Sequence, residues 1–234
     1  IPAVIALVGA QRRGANPAPR LAPQHGQRGL PFCRAGGWGN LQIAFQSRTG
    51  EWWFASGQGL LRFPPRARME DLTHTKPLAV YTERDGLIGN DIFRIFEDSR
   101  GNVWITALHP ARMGLSCWER ATNRFLHFTP ADGFPAGNVE CFTEDQQGRV
   151  WLSGANFVYR YEGGRFIHLA GVDWISKDKI NWIHFDQAGR LWLATGGSGI
   201  YRVDDPIAKQ PHVVHYSINE GLSSNSTYSI THDL

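Results

Sequence analysis

Short apolar segments separated by glycine-containing turns recur along most of this chain. The stretch from 138 to 169 divides into a first strand at 138–145, a tight turn at 146–149, and further strands at 150–152, 157–161 and 166–169. The second strand, Val150-Trp151-Leu152, is apolar on both faces, which is typical of a sheet covered on both sides. The pattern therefore predicts units of four short strands that pack face to face.

A Gly-x-x-Trp-apolar motif marks each unit. Successive motif tryptophans lie 51, 47 and 41 residues apart, close to the period of about 40 to 50 residues that propeller blades show. A residue type needed once per blade is expected in the core, so these positions are interpreted as structural repeat residues. They are Gly50 and Trp53, Gly101 and Trp104, Gly148 and Trp151, and Gly189 and Trp192.

The repeat sets the domain organisation. We predict an all-β fold, a β-propeller fragment of four four-stranded blades plus one strand of a fifth, belonging to a seven-bladed propeller. The expected units are 29–84, 85–131, 132–170 and 171–218, with a partial unit at 219–234, together forming an incomplete propeller over 29–234. Residues 1–28 are interpreted as a signal-peptide remnant followed by a flexible tail, because an apolar start precedes an Arg/Pro/Gln/Gly-rich stretch.

The repeated string resembles a known family. Asp85-Gly86-Leu87, then Asn90, then Glu97-Asp98 before Gly101 and Trp104, is similar to the two-component regulator propeller repeat. That family occurs in the exported sensor regions of bacterial hybrid histidine kinases. The resemblance covers about residues 30 to 234 and implies a periplasmic ectodomain of an inner-membrane protein.

Composition narrows the function classes without selecting one. A formal net charge of +3 is too small to require nucleic acid as a partner. Three cysteines without a CxxC pair argue against a zinc ribbon or a disulfide-dense scaffold. We therefore expect no metal and no cofactor.

The paired acids Glu97-Asp98 and Glu144-Asp145 could suggest acid–base chemistry. They recur at the same blade position, however, which a turn requires and a single active site does not. We therefore expect no catalytic residues in this chain. A propeller enzyme of the lyase or lactonase type and a protein-binding scaffold propeller remain the alternatives.

Specificity is expected on one rim, where the loops entering first strands meet the loops joining second to third strands. The first set is 85–90, 132–138, 171–178 and 219–225, and the second is 55–59, 106–114, 153–157 and 195–199. The loop after Trp104 is longer than its counterparts, and Trp174 has no equivalent in the other units. The predicted ligand-binding residues are His109, Arg112, Trp174 and Lys177.

These residue types favour a polar ligand. Trp174 offers an apolar face to a sugar ring, and Arg112 offers paired donors to a carboxylate or sulfate. The resemblance to the two-component regulator propeller repeat implies a non-catalytic, ligand-sensing region of a bacterial two-component sensor. Its expected partners are an oligosaccharide or another polar small ligand, the remainder of the same polypeptide, and a second copy in a full-length dimer.

Overall fold

The computed structural model describes residues 4–8, 42–66, 68–108, 114–134, 137–171 and 178–232. These residues form four antiparallel sheets of four strands each and one two-stranded sheet. Helical structure in the described ranges is confined to short 3-10 turns such as Met69–His74 and Glu83–Asp85. The predicted all-β architecture of four-stranded blades is confirmed, whereas seven blades for a complete propeller stays a prediction.

Each four-stranded sheet is one blade, with its strands in sequence order. Blade 1 contains β2 (Ala44–Gln46), β3 (Trp52–Ser56), β4 (Gly59–Phe63) and β5 (Ala79–Tyr81). Blade 2 contains β6 (Ile92–Glu97), β7 (Val103–Ala107), β8 (Leu115–Glu119) and β9 (Arg124–Phe128). Blade 3 contains β10 (Val139–Glu144), β11 (Val150–Gly154), β12 (Val158–Glu162) and β13 (Arg165–His168). Blade 4 contains β14 (Ile180–Phe185), β15 (Leu191–Thr195), β16 (Ile200–Asp204) and β17 (His212–Tyr216).

The two-stranded sheet joins the ends of the chain. The strand β1 (Val4–Val8) pairs antiparallel with β18 (Thr227–His232), the first strand of the fifth unit. These five residues belong to the range 1–28 that the sequence analysis interprets as a signal-peptide remnant and flexible tail, and that interpretation stays a prediction. No later strand of the fifth unit lies among the described residues, so β1 supplies the hydrogen-bond partner that the edge of β18 requires.

The hydrophobic core lies between blades rather than within one. One cluster joins Trp53 and Leu60 of blade 1 to Ile95 and Val103 of blade 2. Equivalent clusters join blade 2 to blade 3 and blade 3 to blade 4. The second strands β7, β11 and β15 are buried along their whole length, while the outer strand β9 is largely exposed. Blades 2 and 3 are therefore covered on both faces by neighbouring blades, as the apolar second strands predict.

An aspartate organises each first turn in blades 2 to 4. In blade 3, Oδ1 of Asp145 accepts hydrogen bonds from the backbone N–H groups of Gln147 and Arg149, both at 3.0 Å. The other oxygen, Oδ2, accepts from the indole Nε1 of Trp151 at 2.8 Å. Asp98 and Asp186 make the same contacts with Trp104 and Trp192. One carboxylate thus fixes both the turn and the buried indole.

The glutamate that precedes this aspartate serves the neighbouring blade. Both carboxylate oxygens of Glu144 accept from the backbone N–H of Ser99 in the turn of blade 2, at 3.0 and 2.8 Å. Glu97 likewise accepts from the backbone N–H of Arg48 in blade 1 at 3.1 Å. Both members of the repeated acid pair therefore have structural roles. The aspartate bonds within its own blade, and the glutamate bonds to the turn of the preceding blade.

Blade 1 lacks this aspartate. Ser47 occupies its position, and Oγ of Ser47 accepts from the backbone N–H of Glu51 at 3.1 Å. The indole Nε1 of Trp53 is buried and has no hydrogen-bond partner among the described residues. Serine therefore still accepts a hydrogen bond from the backbone of the turn. Its side chain is shorter than that of aspartate and makes no hydrogen bond to the indole.

Candidate ligand-binding rim

The antiparallel order of the strands places the loops on two opposite edges of the blades. Turns between first and second strands, and between third and fourth, lie on one edge. Connections between second and third strands, and from one blade to the next, lie on the other. We call the second edge the rim, and it carries the loop ranges that the sequence analysis singled out for specificity.

Repeated residues on the rim are occupied with holding the loops in shape. Oδ2 of Asp85 accepts from the backbone N–H and the hydroxyl of Thr82 at 2.8 and 2.9 Å. Gly86 follows with φ of 105°, in the left-handed region. Asn90 then accepts from the backbone N–H of Glu83 at 2.8 Å. Because Ser217, Glu220 and Asn225 repeat this arrangement, these residues set loop geometry rather than specificity.

Charged residues from three blades meet at the rim end of the inner strands. The guanidinium Nε of Arg94 in β6 donates to the carbonyl oxygen of Glu140 in β10 at 2.9 Å, and its Nη2 lies 3.9 Å from the Glu140 carboxylate. Nζ of Lys179, just before β14, lies 3.0 Å from the other carboxylate oxygen. We call Arg94, Glu140 and Lys179 the inner charge cluster. Glu140 of blade 3 thereby links blade 2 to blade 4.

The cluster has a buried end and an exposed end. The Arg94 side chain is 3% exposed and lies over the ring of Phe93, 3.7 Å from its centroid. Burial lowers the pKa of Arg94 from its ordinary value, and the Glu140 carboxylate opposes that shift. The Lys179 side chain is 51% exposed. Lys179 is therefore the member of the cluster that a ligand on the rim can reach.

A second polar group lies beside Lys179. The Asp178 carboxylate accepts from the hydroxyl of Ser198, and the Ser198 carbonyl is 2.5 Å from Nε2 of His215. The His215 ring stacks on Tyr201 with centroids 4.3 Å apart. The loop 195–199 and the entry to β14 thus form one hydrogen-bonded unit of blade 4.

The four predicted ligand-binding residues, His109, Arg112, Trp174 and Lys177, lie outside the described residues. Their flanking positions are described. Leu108 donates its backbone N–H to the carbonyl of Asp91 at 2.8 Å, at one end of 109–113. Asp178 and Lys179 lie at the end of 172–177. The two candidate loops therefore begin or end in blades 2 and 4, the blades that Glu140 links.

A small cavity lies between blades 2 and 3 at the rim. Thr106, Gly114 and Asn138 are among the residues that line its space of about 10 Å³. The hydroxyl of Thr106 is buried and has no hydrogen-bond partner among the described residues. The space matches a single water molecule, so this cavity does not hold the ligand predicted from the sequence.

Sequence reasoning missed the inner charge cluster. Equivalent positions in other blades carry different residues: Arg94 corresponds to Cys141 and Trp182, and Glu140 to Phe93 and Asn181. The sequence contains a signal for this cluster, because Arg94 places a charge at an inner-strand position that is apolar in blades 3 and 4. The four predicted ligand-binding residues all belong to loops, whereas Arg94, Glu140 and Lys179 lie in or next to strands.

The described residues include two cysteines but no metal-binding cluster. They contain no group of three or more metal-ligating side chains close enough to hold an ion. Cys117 and Cys141 are free and buried, and burial raises the pKa of both thiols, that of Cys141 to about 12. Neither is therefore a reactive nucleophile. In the described ranges, no helix has both the length and the apolar character needed to cross a bilayer.

Comparison with known proteins supports the fold and the repeat. The chain resembles a structure described as the extracellular domain of a hybrid two component system, BT3049 of B. thetaiotaomicron, at 16% identity and a TM-score of 0.62, covering 80% of this chain and 24% of that one. The corresponding domain of BT4673 from the same organism matches at 18% identity and a TM-score of 0.59, covering 75% and 23%. The chain spans about a quarter of the length of these two proteins.

More distant enzymes share the fold alone. Virginiamycin B lyase from Staphylococcus aureus matches at 14% identity and a TM-score of 0.56, covering 78% of this chain and 57% of that one. A sequence search of curated proteins finds no match.

The family model of the two component regulator propeller matches residues 86–108 and 133–156, the entry loops and first hairpins of blades 2 and 3. The resemblance seen in the sequence is thereby confirmed for blades 2 and 3, whose entry loops and first hairpins match the two-component regulator propeller repeat.

Proposed function

We propose that this chain is the ligand-sensing propeller of an exported two-component sensor and has no catalytic activity of its own. The observation that carries the proposal is the pair of family repeats in blades 2 and 3. In those blades the repeated Asp, Glu and Trp are engaged in turn and inter-blade hydrogen bonds. Recognition of a ligand is then left to residues that differ between blades.

The proposed site is the rim above the inner charge cluster. His109 and Arg112 from blade 2, and Trp174 and Lys177 from the entry to blade 4, are the proposed ligand contacts. Lys179, two residues after Lys177 in the chain, supplies an exposed cation that pairs with Glu140. Because Glu140 connects blades 2 and 4, a ligand seated above it can contact both loops without spanning the whole propeller.

The proposed ligand is a polar molecule with anionic groups, such as an acidic oligosaccharide. Arginine and lysine donate to carboxylates or sulfates, and an indole face packs against a sugar ring.

The extracellular placement of the BT3049 and BT4673 domains supports export of this chain, with a periplasmic location as the specific proposal. The remaining polypeptide and a second copy in a dimer are the proposed partners for signal output.

The test is calorimetry of the complete protein with a panel of neutral, uronic-acid and sulfated oligosaccharides. We expect binding of an anionic member, weakened about tenfold or more by Arg112→Ala, Trp174→Ala or Lys179→Ala. Lys209→Ala is the matched control, because Lys209 is exposed in the β16–β17 connection on the opposite edge.

Two results would contradict the proposal. If no member of the panel binds the folded protein, oligosaccharide sensing is wrong. If a ligand binds all three rim variants as tightly as the parent, the site is wrong even though sensing by another surface would stand.

A further inference from the structure

Three blades place an arginine beside the repeat tryptophan. Arg62, Arg160 and Arg202 lie in the third strands directly opposite Trp53, Trp151 and Trp192. Their guanidinium carbons lie 5.3, 5.9 and 5.8 Å from the indole centroids, within cation–π range. Each also pairs with a carboxylate, on Glu51, Glu162 and Asp204 respectively.

Blade 2 departs from this pattern at two positions together. Cys117 is the residue opposite Trp104. In blades 1 and 4, the arginine also donates to a tyrosine hydroxyl of the fourth strand, on Tyr81 and Tyr216. The corresponding residue of blade 2 is Phe128, which pairs with Leu115 as Tyr81 pairs with Leu60. Both the cation and its neutral acceptor are therefore absent from this blade.

The acidic partner of the absent arginine is retained. Glu119 lies two residues after Cys117, as Glu162 follows Arg160 and Asp204 follows Arg202. The Glu119 carboxylate accepts from the hydroxyl of Thr122 at 2.9 Å. Within the described part of the chain, no lysine or arginine lies within ion-pair distance of it. Blade 2 thus keeps the aromatic and acidic parts of the motif without its cation.

A cavity of about 650 Å³ opens at this place, between blades 2 and 3. Trp104, Cys117 and Phe128 line its apolar part, together with Tyr161 of the neighbouring blade. Its polar lining includes Glu119, Glu162, Arg100 and Arg149, with Gly163 and Gly164 at one side. The volume lies within the range of small-molecule sites. The cavity is on the edge opposite the rim, because its turns join first to second and third to fourth strands.

The charges around the cavity are only partly compensated. Arg149 is held by Asp145 at 2.7 Å and by Glu162 at 3.5 Å. Arg100 is exposed, and its guanidinium reaches the carbonyl of Gly148 at 3.4 Å. Glu119, nearer to Cys117 along β8, is the carboxylate left without a cationic partner among the described residues. An incoming cation is therefore attracted by Glu119 and opposed by Arg100.

We propose that this cavity binds a small organic cation of the guanidinium class, which takes the place of the arginine that blade 2 lacks. A planar delocalised cation stacks on aromatic rings and pairs with a carboxylate through two N–H donors, as Arg62 does with Trp53 and Glu51. The rest of such a ligand would lie along Leu126 and the 163–164 turn. This inference concerns the opposite edge and does not depend on the proposed rim site.

The test is titration of the complete protein with N-butylguanidinium, followed by NMR or calorimetry, with N-butylurea as its neutral isostere. We expect the cation to bind about tenfold or more tightly than the urea. Glu119→Gln should weaken binding about tenfold, and Arg100→Ala should strengthen it by removing a competing cation. Affinity changes in opposite directions for Glu119→Gln and Arg100→Ala would distinguish a cation site from a general apolar cleft.

The decisive variant is Cys117→Arg, which restores the residue found in the other three blades. We expect loss of N-butylguanidinium binding with unchanged or higher stability, whereas the size-matched Cys117→Ser should bind within about twofold of the parent. Equal binding by Cys117→Arg, or equal binding of the urea and the cation, would overturn the proposal. If Cys117→Arg does not fold, the Glu119→Gln and Arg100→Ala pair decides. Arg112→Ala on the rim should leave this binding unchanged.

Discussion

At the scale of single residues, the aspartate of the first turn connects local and long-range structure. The Asp145 side chain is 4% exposed and accepts from two backbone N–H groups, an indole and the Arg149 guanidinium. Burial opposes ionisation of Asp145 and Asp186, but these hydrogen bonds outweigh burial and lower the pKa of both carboxyls. The ionised form is thus the form that the fold stabilises.

The first prediction is that stability falls in acid partly through these two residues. Since their pKa is lower in the folded than in the unfolded state, their contribution is complete above about pH 4 and is lost as pH falls through the folded pKa. Asp145→Asn should cost about 2 kcal/mol at pH 7, because its amide nitrogen cannot accept from Trp151, and should flatten the acid dependence. Urea unfolding from pH 2 to pH 7 measures the free energy of unfolding of each variant and its dependence on pH. The exposed Asp71→Asn is the control, and equal losses in the two variants would contradict the assignment.

The second prediction uses the exception in blade 1. Ser47→Asp should stabilise the protein by about 1 kcal/mol, because it offers the buried Nε1 of Trp53 the acceptor that other blades provide. Ser47→Ala should destabilise by about 1 kcal/mol, because the backbone N–H of Glu51 loses its bond to Oγ. Thermal unfolding compares the two variants. Destabilisation by both would show that the space beside Trp53 does not admit a carboxylate.

At the scale of elements, the connection from second to third strand depends on close backbone approach. In blade 4, Gly199 has φ of 85°, and its carbonyl accepts from the backbone N–H of Thr195 and the hydroxyl of Thr227. A Cβ at this position would overlap the carbonyl oxygen of Tyr216. Gly59 of blade 1 approaches Tyr81 in the same way. The loop thus fastens the third strand to the segment that enters the following unit.

The third prediction separates the cost of steric overlap at Gly199 from the cost of a left-handed backbone conformation. Gly199→Ala should cost more than about 3 kcal/mol, because the added methyl meets backbone that cannot move aside easily. Gly189→Ala is the matched control: its φ is 75° and nothing lies within 4 Å of its added Cβ. That variant should cost only about 1 kcal/mol, from the left-handed conformation itself. Chemical denaturation measures both, and similar losses would refute a packing role for Gly199.

The sequence predicted the strands and turns more completely than the contacts between blades. Apolar second strands around Trp104, Trp151 and Trp192 indicated covered sheets, and the strands lie where the motif places them. The acid pair was interpreted as a turn signal, which its Asp satisfies locally. The bond from Glu144 to Ser99 could not be predicted, because it depends on the spacing between two blades. The same holds for Arg94, Glu140 and Lys179, which meet only because three inner strands end side by side.

At the scale of the whole molecule, stability is shared across blade interfaces. Trp53, Trp104 and Trp151 each belong to a cluster that includes residues of the following blade. One polar contact extends further. The side-chain amide of Gln42 donates to the carbonyl of Phe142 at 2.6 Å and accepts from its backbone N–H at 2.9 Å. Gln42 thereby joins the strand entry of blade 1 to β10 of blade 3, past the inner strand of blade 2.

The last prediction tests whether this contact couples non-adjacent blades. Gln42→Leu should cost about 2 to 3 kcal/mol, because Phe142 is 1% exposed and both of its main-chain groups would be left without these partners. Gln42→Glu keeps the acceptor but, when ionised, turns a second oxygen toward the Phe142 carbonyl, so its loss at pH 7 should shrink as the carboxyl is protonated toward pH 4. The exposed Gln58→Leu controls for the general effect of leucine substitution. Hydrogen exchange should report faster exchange of the Phe142 amide in Gln42→Leu than in Gln58→Leu. If the two variants exchange and unfold alike, blades 1 and 3 are coupled only through the core of blade 2.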